Sequence, residues 1–244
     1  MKLRIGIIGC GGIATGKHLS ALKSNGDLCE VVAFCDGILD RAKKAAQEYG
    51  VENAQVCQNY NELLANPNVD VVYVLTPNIS HSPIAVDAFH AGKHVMCEKP
   101  MAINTAEAEK MMTAWKESGK KFSIGYQNRY RADVRHLRSA CQNGDLGEIY
   151  YAKAYAIRRR GVPTWGSFIQ GSQQGGGPLI DIGTHSLDLA LWLMDNYDVE
   201  SVTGTVFKKL GKLPQATDGN LWGAWDTSKY DVEDSAIGYI KMKS

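Results

Sequence analysis

An apolar run at residues 3–8 passes directly into Gly9-Cys10-Gly11-Gly12-Ile13-Ala14. No other feature constrains the fold as tightly. The pattern is G-x-G-x-x-A, and it sits where a buried strand turns sharply into a helix. Gly9 permits the tight turn, Gly11 lets a pyrophosphate approach the backbone, and Ala14 keeps helix and strand close. The helix that follows, entered through Gly12 and Ile13, points its free N–H groups and positive dipole end at the phosphates. Asp36 ends the next apolar run, roughly 20 residues on, where an acid holds a ribose diol. Such a glycine motif alone is weak. With a strand before it, a helical pattern after it and the acid in place, it reads as a dinucleotide site rather than a structural turn.

The rest of the first half has the matching rhythm. Strand-like runs at 3–9, 31–36, 54–57, 69–76, 94–98 and 122–126 alternate with helical patterns beginning near Ile13, Ile38, Tyr60, Ser80, Thr105 and Ala132. Asn104 or Thr105 suits an N-cap, with Glu107 in the first turn. This alternation predicts an α/β fold with a doubly wound, mainly parallel sheet. Ligands of such sheets lie at the carboxyl ends of strands, which gathers Gly9, Asp36, Thr76-Pro77-Asn78 and Glu98-Lys99-Pro100 around one crevice.

After residue 148 the pattern becomes α+β. Residues 150–159, 199–208 and 232–243 read as longer strands, with a helix at 178–194 between them. Residues 170–177 (QGSQQGGG) read as a flexible loop leading into that helix. The expected division is a Rossmann domain over 1–124 and a second domain over 125–244 with a mainly antiparallel open sheet. Alternation still runs at the last residues, so that sheet is expected to be truncated.

The 178–194 helix is apolar on most sides and is expected to be largely buried. Yet Asp181, Thr184, His185 and Asp188 recur at three- and four-residue spacing and share one face. A polar stripe on such a helix needs partners or a cavity, because unpaired buried polar groups cost a few kcal/mol. Asp181 one turn before His185 can assemble a base and its electrostatic partner. A hydrogen-bonded pair in the core is the other reading, and the stripe by itself leaves both open.

Composition removes several classes. The formal charge is +1 over 244 residues, with acids and bases interspersed. That argues against a nucleic-acid or membrane surface, and Arg158-Arg159-Arg160 is too short a basic run to change it. No apolar stretch approaches the roughly 20 residues of a membrane helix. Met1 stands directly before the first strand, leaving no room for a signal peptide. The six cysteines show no C-x-x-C and no metal-ligand spacing, so reduced core thiols in a cytoplasmic, metal-free protein are expected.

The glycine motif, Glu98-Lys99-Pro100 at the end of the fifth strand, and Gly175-Gly176-Gly177-Pro178-Leu179-x-Asp181-x-Gly183-x-His185 occur in this order. In this combination the chain resembles the glucose–fructose oxidoreductase/inositol dehydrogenase family over essentially its whole length. The resemblance implies a Rossmann domain and a second domain built on a large open antiparallel sheet that supports homo-oligomers. It implies an NAD(P)-dependent dehydrogenase or reductase acting on a sugar or polyol. By matching motif, Lys99 corresponds to the active-site lysine, and Asp181 and His185 to the acid and the catalytic histidine. Thr76, Pro77, Asn78 and His81 match the segment lining the nicotinamide side. The chemistry is coherent: His185 takes the hydroxyl proton, Asp181 orients the imidazole or holds substrate, and Lys99 supplies positive charge where alkoxide develops.

Other residues are open to two readings. Asn128 and Arg129 follow the sixth strand and either reach the crevice mouth, for cofactor and substrate respectively, or form a solvated helix approach. Arg158 and Trp165 suit a sugar face, or Trp165 is a core or interface ring. Arg41 stacks on adenine or lies solvated on its helix. Asp36 followed by Gly37, with no cation beside it, favours NAD over NADP, since a carboxylate repels a 2′-phosphate; Arg41 keeps NADP as the lesser option. Two rivals to a dehydrogenase remain. One is a redox-assisted glycosidase that holds NAD without net turnover, and the other is a non-catalytic cofactor or sugar sensor.

Overall fold

In a computed structural model that describes residues 1–243, the chain forms two compact units, Met1–Gly125 and the residues from Tyr126 onward. The first unit holds six parallel strands: β1 (Leu3–Ile8), β2 (Cys29–Cys35), β3 (Gln55–Cys57), β4 (Val71–Val74), β5 (His94–Cys97) and β6 (Phe122–Ile124). Their spatial order is β3-β2-β1-β4-β5-β6, the Rossmann order, with its reversal between β1 and β4. The connecting helices are α1 (Leu19–Ser24), α2 (Leu39–Tyr49), α3 (Tyr60–Leu64), α4 (His81–His90) and α5 (Thr105–Ser118).

Alternation along the strands explains the double winding. Ile5 and Ile7 of β1 pack with Phe34, Leu19, Leu22, Ala42 and Ala45 on the α1–α2 side. Ile8 packs with Val72, Val74, Leu63, Phe89 and Met111 on the α3–α4–α5 side. Both faces of the sheet are therefore covered, as an all-parallel sheet requires. Local signals set the helix ends. The Asn104 side chain accepts the Glu107 N–H at 2.9 Å, and α5 ends at left-handed Gly119.

The second unit contains α6 (Ala132–Asn143), α7 (Gly171–Gln174), α8 (Thr184–Met194), and an antiparallel pair, β7 (Val199–Phe207) and β8 (Ser235–Met242). Arg138 of α6 staples the end of α8, donating to Trp192 O at 2.5 Å and Asp195 Oδ1 at 2.7 Å. A separate small core gathers Trp225, Tyr230 and Val232, and the Trp225 indole N–H donates to Gly211 O at 2.7 Å.

Three expectations for this unit are corrected. Residues 150–159 form no strand: alternation favours an extended backbone, but a strand needs a neighbour to complete its hydrogen bonds, and no ladder partner is present among the described residues. Instead this segment, with Tyr150 and Tyr155, lines a groove of about 560 Å³ against Leu189 and Leu193 of α8. The helix expected to be buried is mostly half-buried, and Asp188 is its one buried residue, because its apolar sides face that groove rather than a sheet. The loop at 170–177 is ordered by packing. It contains α7, Gln174 is 4% exposed, and a Cβ on Gly177 would lie 2.1 Å from Glu233 O.

Candidate active site

The cradle of the first unit is built where β1, β4 and β5, neighbours in the sheet, all end. Gly9 donates its N–H to Cys35 O at 2.8 Å. It adopts φ +96°, and a Cβ there would meet Leu75 O at 2.6 Å, so only glycine makes this turn. Cβ atoms added to Gly11 and Gly12 would meet nothing within 4 Å, which leaves their backbone open to a bulky ligand. Ala14 is buried beneath the helix start. The Asp36 carboxylate accepts the Cys10 N–H and the Ile38 N–H, each at 2.8 Å, so the acid at the end of β2 braces the glycine turn. Burial pushes the Cys10 thiol up to about 12, which makes it a core thiol rather than a nucleophile. Beside this turn, Thr76 Oγ1 is buried without a hydrogen-bond partner among the described residues. Open glycines, an anchored acid and an unsatisfied hydroxyl side by side fit a dinucleotide.

Thr76 and Lys99 lie on adjacent strand ends, and His81 ties their loops together. Its two ring nitrogens lie 2.8 Å from Pro100 O and 2.9 Å from Thr76 O. Burial holds its pKa below the ordinary value despite the pull of both carbonyls. His81 is 1% exposed, so it supports the Thr76-Pro77-Asn78 segment from within instead of lining its surface. Asn78 and Lys99 are half-buried. Glu98 is buried, and its carboxylate accepts the Lys99 N–H at 3.0 Å. Ile13 and Arg41 are exposed.

His18 is a candidate that the motifs did not reveal. Its Nε2 lies 2.8 Å from Glu98 Oε1. The available signal was a histidine on the helix leaving the glycine turn. Its direction depends on a π turn over Ala14–His18, which no spacing rule announces.

In the second unit, a second π turn, Leu179–Gly183, runs into α8. It carries Asp181, whose N–H donates to Gly177 O at 3.1 Å. Thr184, His185 and Asp188 follow on α8, and Tyr126 Oη lies 3.5 Å from Thr184 Oγ1. Asn128 and Arg129 occupy a short 3₁₀ turn, Gln127–Tyr130. The Arg129 guanidinium forks onto Asp188, with Nε 2.8 Å from Oδ2 and Nη2 on Oδ1. It also stacks near the Tyr126 and Trp192 rings. Arg129 is thus committed to Asp188, a pairing that spacing on α8 did not expose. Arg158 and Trp165 meet at an unforeseen third residue: Trp222 lies 5.1 Å from the Arg158 guanidinium and edge-on to Trp165 at 5.0 Å. No helix is long and apolar enough to cross a membrane, and no cluster fit for a metal ion occurs, among the described residues.

The parallel sheet, glycine cradle and anchored acid define an NAD-binding Rossmann fold of the oxidoreductase class, fused to a second α+β unit. Residues 3–126 match the oxidoreductase family with an NAD-binding Rossmann fold, and residues 134–244 match the GFO/IDH/MocA C-terminal domain. The chain belongs to the GFO/IDH/MocA family. It is 42% identical to D-glucoside 3-dehydrogenase of Escherichia coli (strain K12) over 98% of this chain and 67% of that protein. It is 32% identical to myo-inositol 2-dehydrogenase of Thermotoga maritima over 99% of this chain and 66% of that one. Among solved structures, aldose–aldose oxidoreductase of Caulobacter crescentus, complexed with glycerol, is similar at 28% identity and TM-score 0.78, covering 98% of this chain and 67% of that one. The WlbA dehydrogenase of Bordetella pertussis, in complex with NADH and UDP-GlcNAcA, is similar at 25% identity and TM-score 0.77, covering 100% and 68%. The chain spans between 57% and 67% of the length of curated relatives such as the inositol 2-dehydrogenase of Salmonella typhimurium and the Escherichia coli enzyme.

Proposed function

We propose that the protein is a cytoplasmic NAD(H)-dependent dehydrogenase or reductase acting on a secondary hydroxyl or carbonyl of a sugar, glycoside or polyol. One observation carries the reading: the adjacent ends of β1, β4 and β5 present the glycine cradle, the Thr76 hydroxyl and Lys99 side by side. Bound NAD supplies the hydride acceptor. Gly11, Gly12 and Ile13 hold its pyrophosphate on the turn that Gly9 makes and Ala14 packs beneath, Asp36 its ribose diol, and the Thr76–Asn78 segment, Glu98 and Asn128 its nicotinamide side. His185 takes the hydroxyl proton onto its imidazole, Asp181 orients that ring, and Lys99 offsets the negative charge that develops on the substrate oxygen. The D-glucoside 3-dehydrogenase relative supports a D-glucoside as substrate, with Arg158 and Trp165 as sugar contacts. A second copy of the chain is the proposed partner, through the second unit's sheet.

The test is a panel of alkyl glucosides, inositols and aryl glycosides incubated with NAD, followed both by NADH absorbance and by aglycone release. Net NADH formation is expected on a glycoside or polyol. Aglycone release without net NADH would replace the dehydrogenase by a redox-assisted glycosidase. Tight NAD binding with neither signal would point to a sensor.

A further inference from the structure

Glu98 is a buried carboxylate with two separate obligations. Oε2 accepts the Lys99 N–H at 3.0 Å, and Oε1 lies 2.8 Å from His18 Nε2. The Glu98 backbone is itself fixed, its N–H donating to Val74 O at 3.0 Å. Burial alone would raise this carboxyl, but the His18 hydrogen bond and charge, with the Lys99 amide, outweigh it and hold the group below its ordinary range. The bridge therefore joins an anion to an N–H donor. His18 stands at the end of the π turn that leaves the glycine cradle, where Leu19 donates its N–H to Ala14 O, five residues back. The extra residue in that turn rotates His18 by about 100° relative to a continuous α-helix. Its ring then meets Glu98 and sits edge-on to Tyr73 at 5.8 Å. Gly125 makes room behind: a Cβ there would come within 3.1 Å of Glu98 Oε1.

We propose that His18 and Glu98 are a positioning pair that ties the placement of Lys99 to the helix leaving the dinucleotide cradle. One end of the pair is fixed by the segment that receives the pyrophosphate, and the other grips the Lys99 backbone. Occupation of the cradle is thereby reported to Lys99 within the first unit. The inference rests on the reading of that cradle as the NAD site and of Lys99 as a catalytic group, and it adds a residue, His18, that touches neither reacting atom.

The test reads the Lys99 amine directly and needs no substrate. The whole protein is labelled with trace acetic anhydride, with and without NAD, and each lysine's rate is read by mass spectrometry. Lys23 and Lys116 serve as internal references. NAD is expected to change Lys99 labelling in the parent protein. His18→Ala and Glu98→Gln are each expected to shift the unliganded Lys99 rate by about fivefold, the scale of one lost hydrogen bond, and to blunt its response to saturating NAD. His18→Gln, which keeps a donor, should restore most of that response. Lys99 labelling unchanged in both folded variants, or no difference between His18→Gln and His18→Ala, would overturn the proposal. A misfolded His18→Ala leaves Glu98→Gln to decide. Failure of the substrate panel alongside the expected labelling pattern would remove the dehydrogenase reading and leave the pair standing.

Discussion

The Asp36 carboxylate accepts the backbone N–H of Cys10 at 2.8 Å, from inside the glycine turn it serves. One acid therefore shapes the cradle, and the same carboxylate is the group proposed to hold the ribose. Asp36→Ala is expected to weaken NAD binding about tenfold or more, since a charge-assisted hydrogen bond contributes roughly 1.5–3 kcal/mol. NADP binding should fall less, because the repulsion of its 2′-phosphate disappears at the same time. Fluorescence titration of both cofactors checks this; equal losses for the two would remove Asp36 from the ribose.

Replacement of His185 by alanine should lower turnover by roughly 10²–10⁴-fold while NAD affinity stays nearly constant. Lys99→Ala should also lower turnover strongly, because its charge matters most as alkoxide forms. Steady-state kinetics on the substrate found by the panel, beside NAD titrations, separates chemistry from binding. Undiminished turnover in folded His185→Ala would end its role as base.

The Asp188 carboxylate is 8% exposed and is held by the Arg129 fork. Arg129→Ala leaves it without that partner and is expected to cost about 2–4 kcal/mol, somewhat below the loss seen for fully buried pairs because the arginine is part-exposed. Asp188→Asn should cost less, since no charge is stranded. Chemical denaturation followed by tryptophan fluorescence would show it through Trp192 beside the pair; equal midpoints for parent and Arg129→Ala would contradict the assignment.

Acid stability follows from Asp70 and Glu98. The Arg4 hydrogen bond holds the Asp70 carboxyl below its ordinary 3.8, and Glu98 sits below its ordinary 4.5 because His18 and the Lys99 amide outweigh burial. Groups with depressed folded values stabilise the fold above their unfolded values and lose that contribution as pH falls through the folded ones. Urea midpoints should therefore start to decline below about pH 6.5, where buried His81, its pKa held down by burial, resists protonation, and decline further from about pH 4.5 downward as the two carboxylates protonate. Asp70→Asn should flatten part of that decline, by about 1 kcal/mol at most for a pair this exposed. An unchanged acid limb in Asp70→Asn would show that its pairing with Arg4 adds nothing.

A methyl group at Gly177 has no room, with Glu233 O 2.1 Å from the Cβ position. Gly177→Ala is expected to destabilise the second unit by about 1–3 kcal/mol or more, whereas Gly144→Ala, with nothing within 4 Å of its Cβ position, is penalised only by its left-handed φ of +79°. Thermal melts of the two variants give the order. A smaller loss at Gly177 would contradict the close approach.

The first half of the fold was legible because its information is local. A strand, a glycine turn and a helix recur with fixed periods, and residues 3–36 alone specify the crossover, the cradle and the acid. Lys99 and His185 were marked as candidates by short motifs whose residue types match a chemistry. His18 was not, because its partner lies 80 residues away and its direction depends on one extra residue in a helical turn. The Arg129–Asp188 fork was hidden for the same reason, as was the meeting of Arg158 and Trp165 at Trp222.

Residues 150–159 show where pattern stops and tertiary structure decides. Alternation favours an extended backbone, but hydrogen bonds from a neighbouring chain segment make it a strand, and here the segment lines a groove instead. By itself the sequence determined which segments turn, which faces are apolar and which residues can carry acid–base chemistry, since these follow from covalent geometry and side-chain type. The tertiary structure decided which carboxylate is buried with which cation, and that His81 supports two loops from within. Those outcomes depend on contacts between residues distant in the chain, whose energies exist only once the chain has folded.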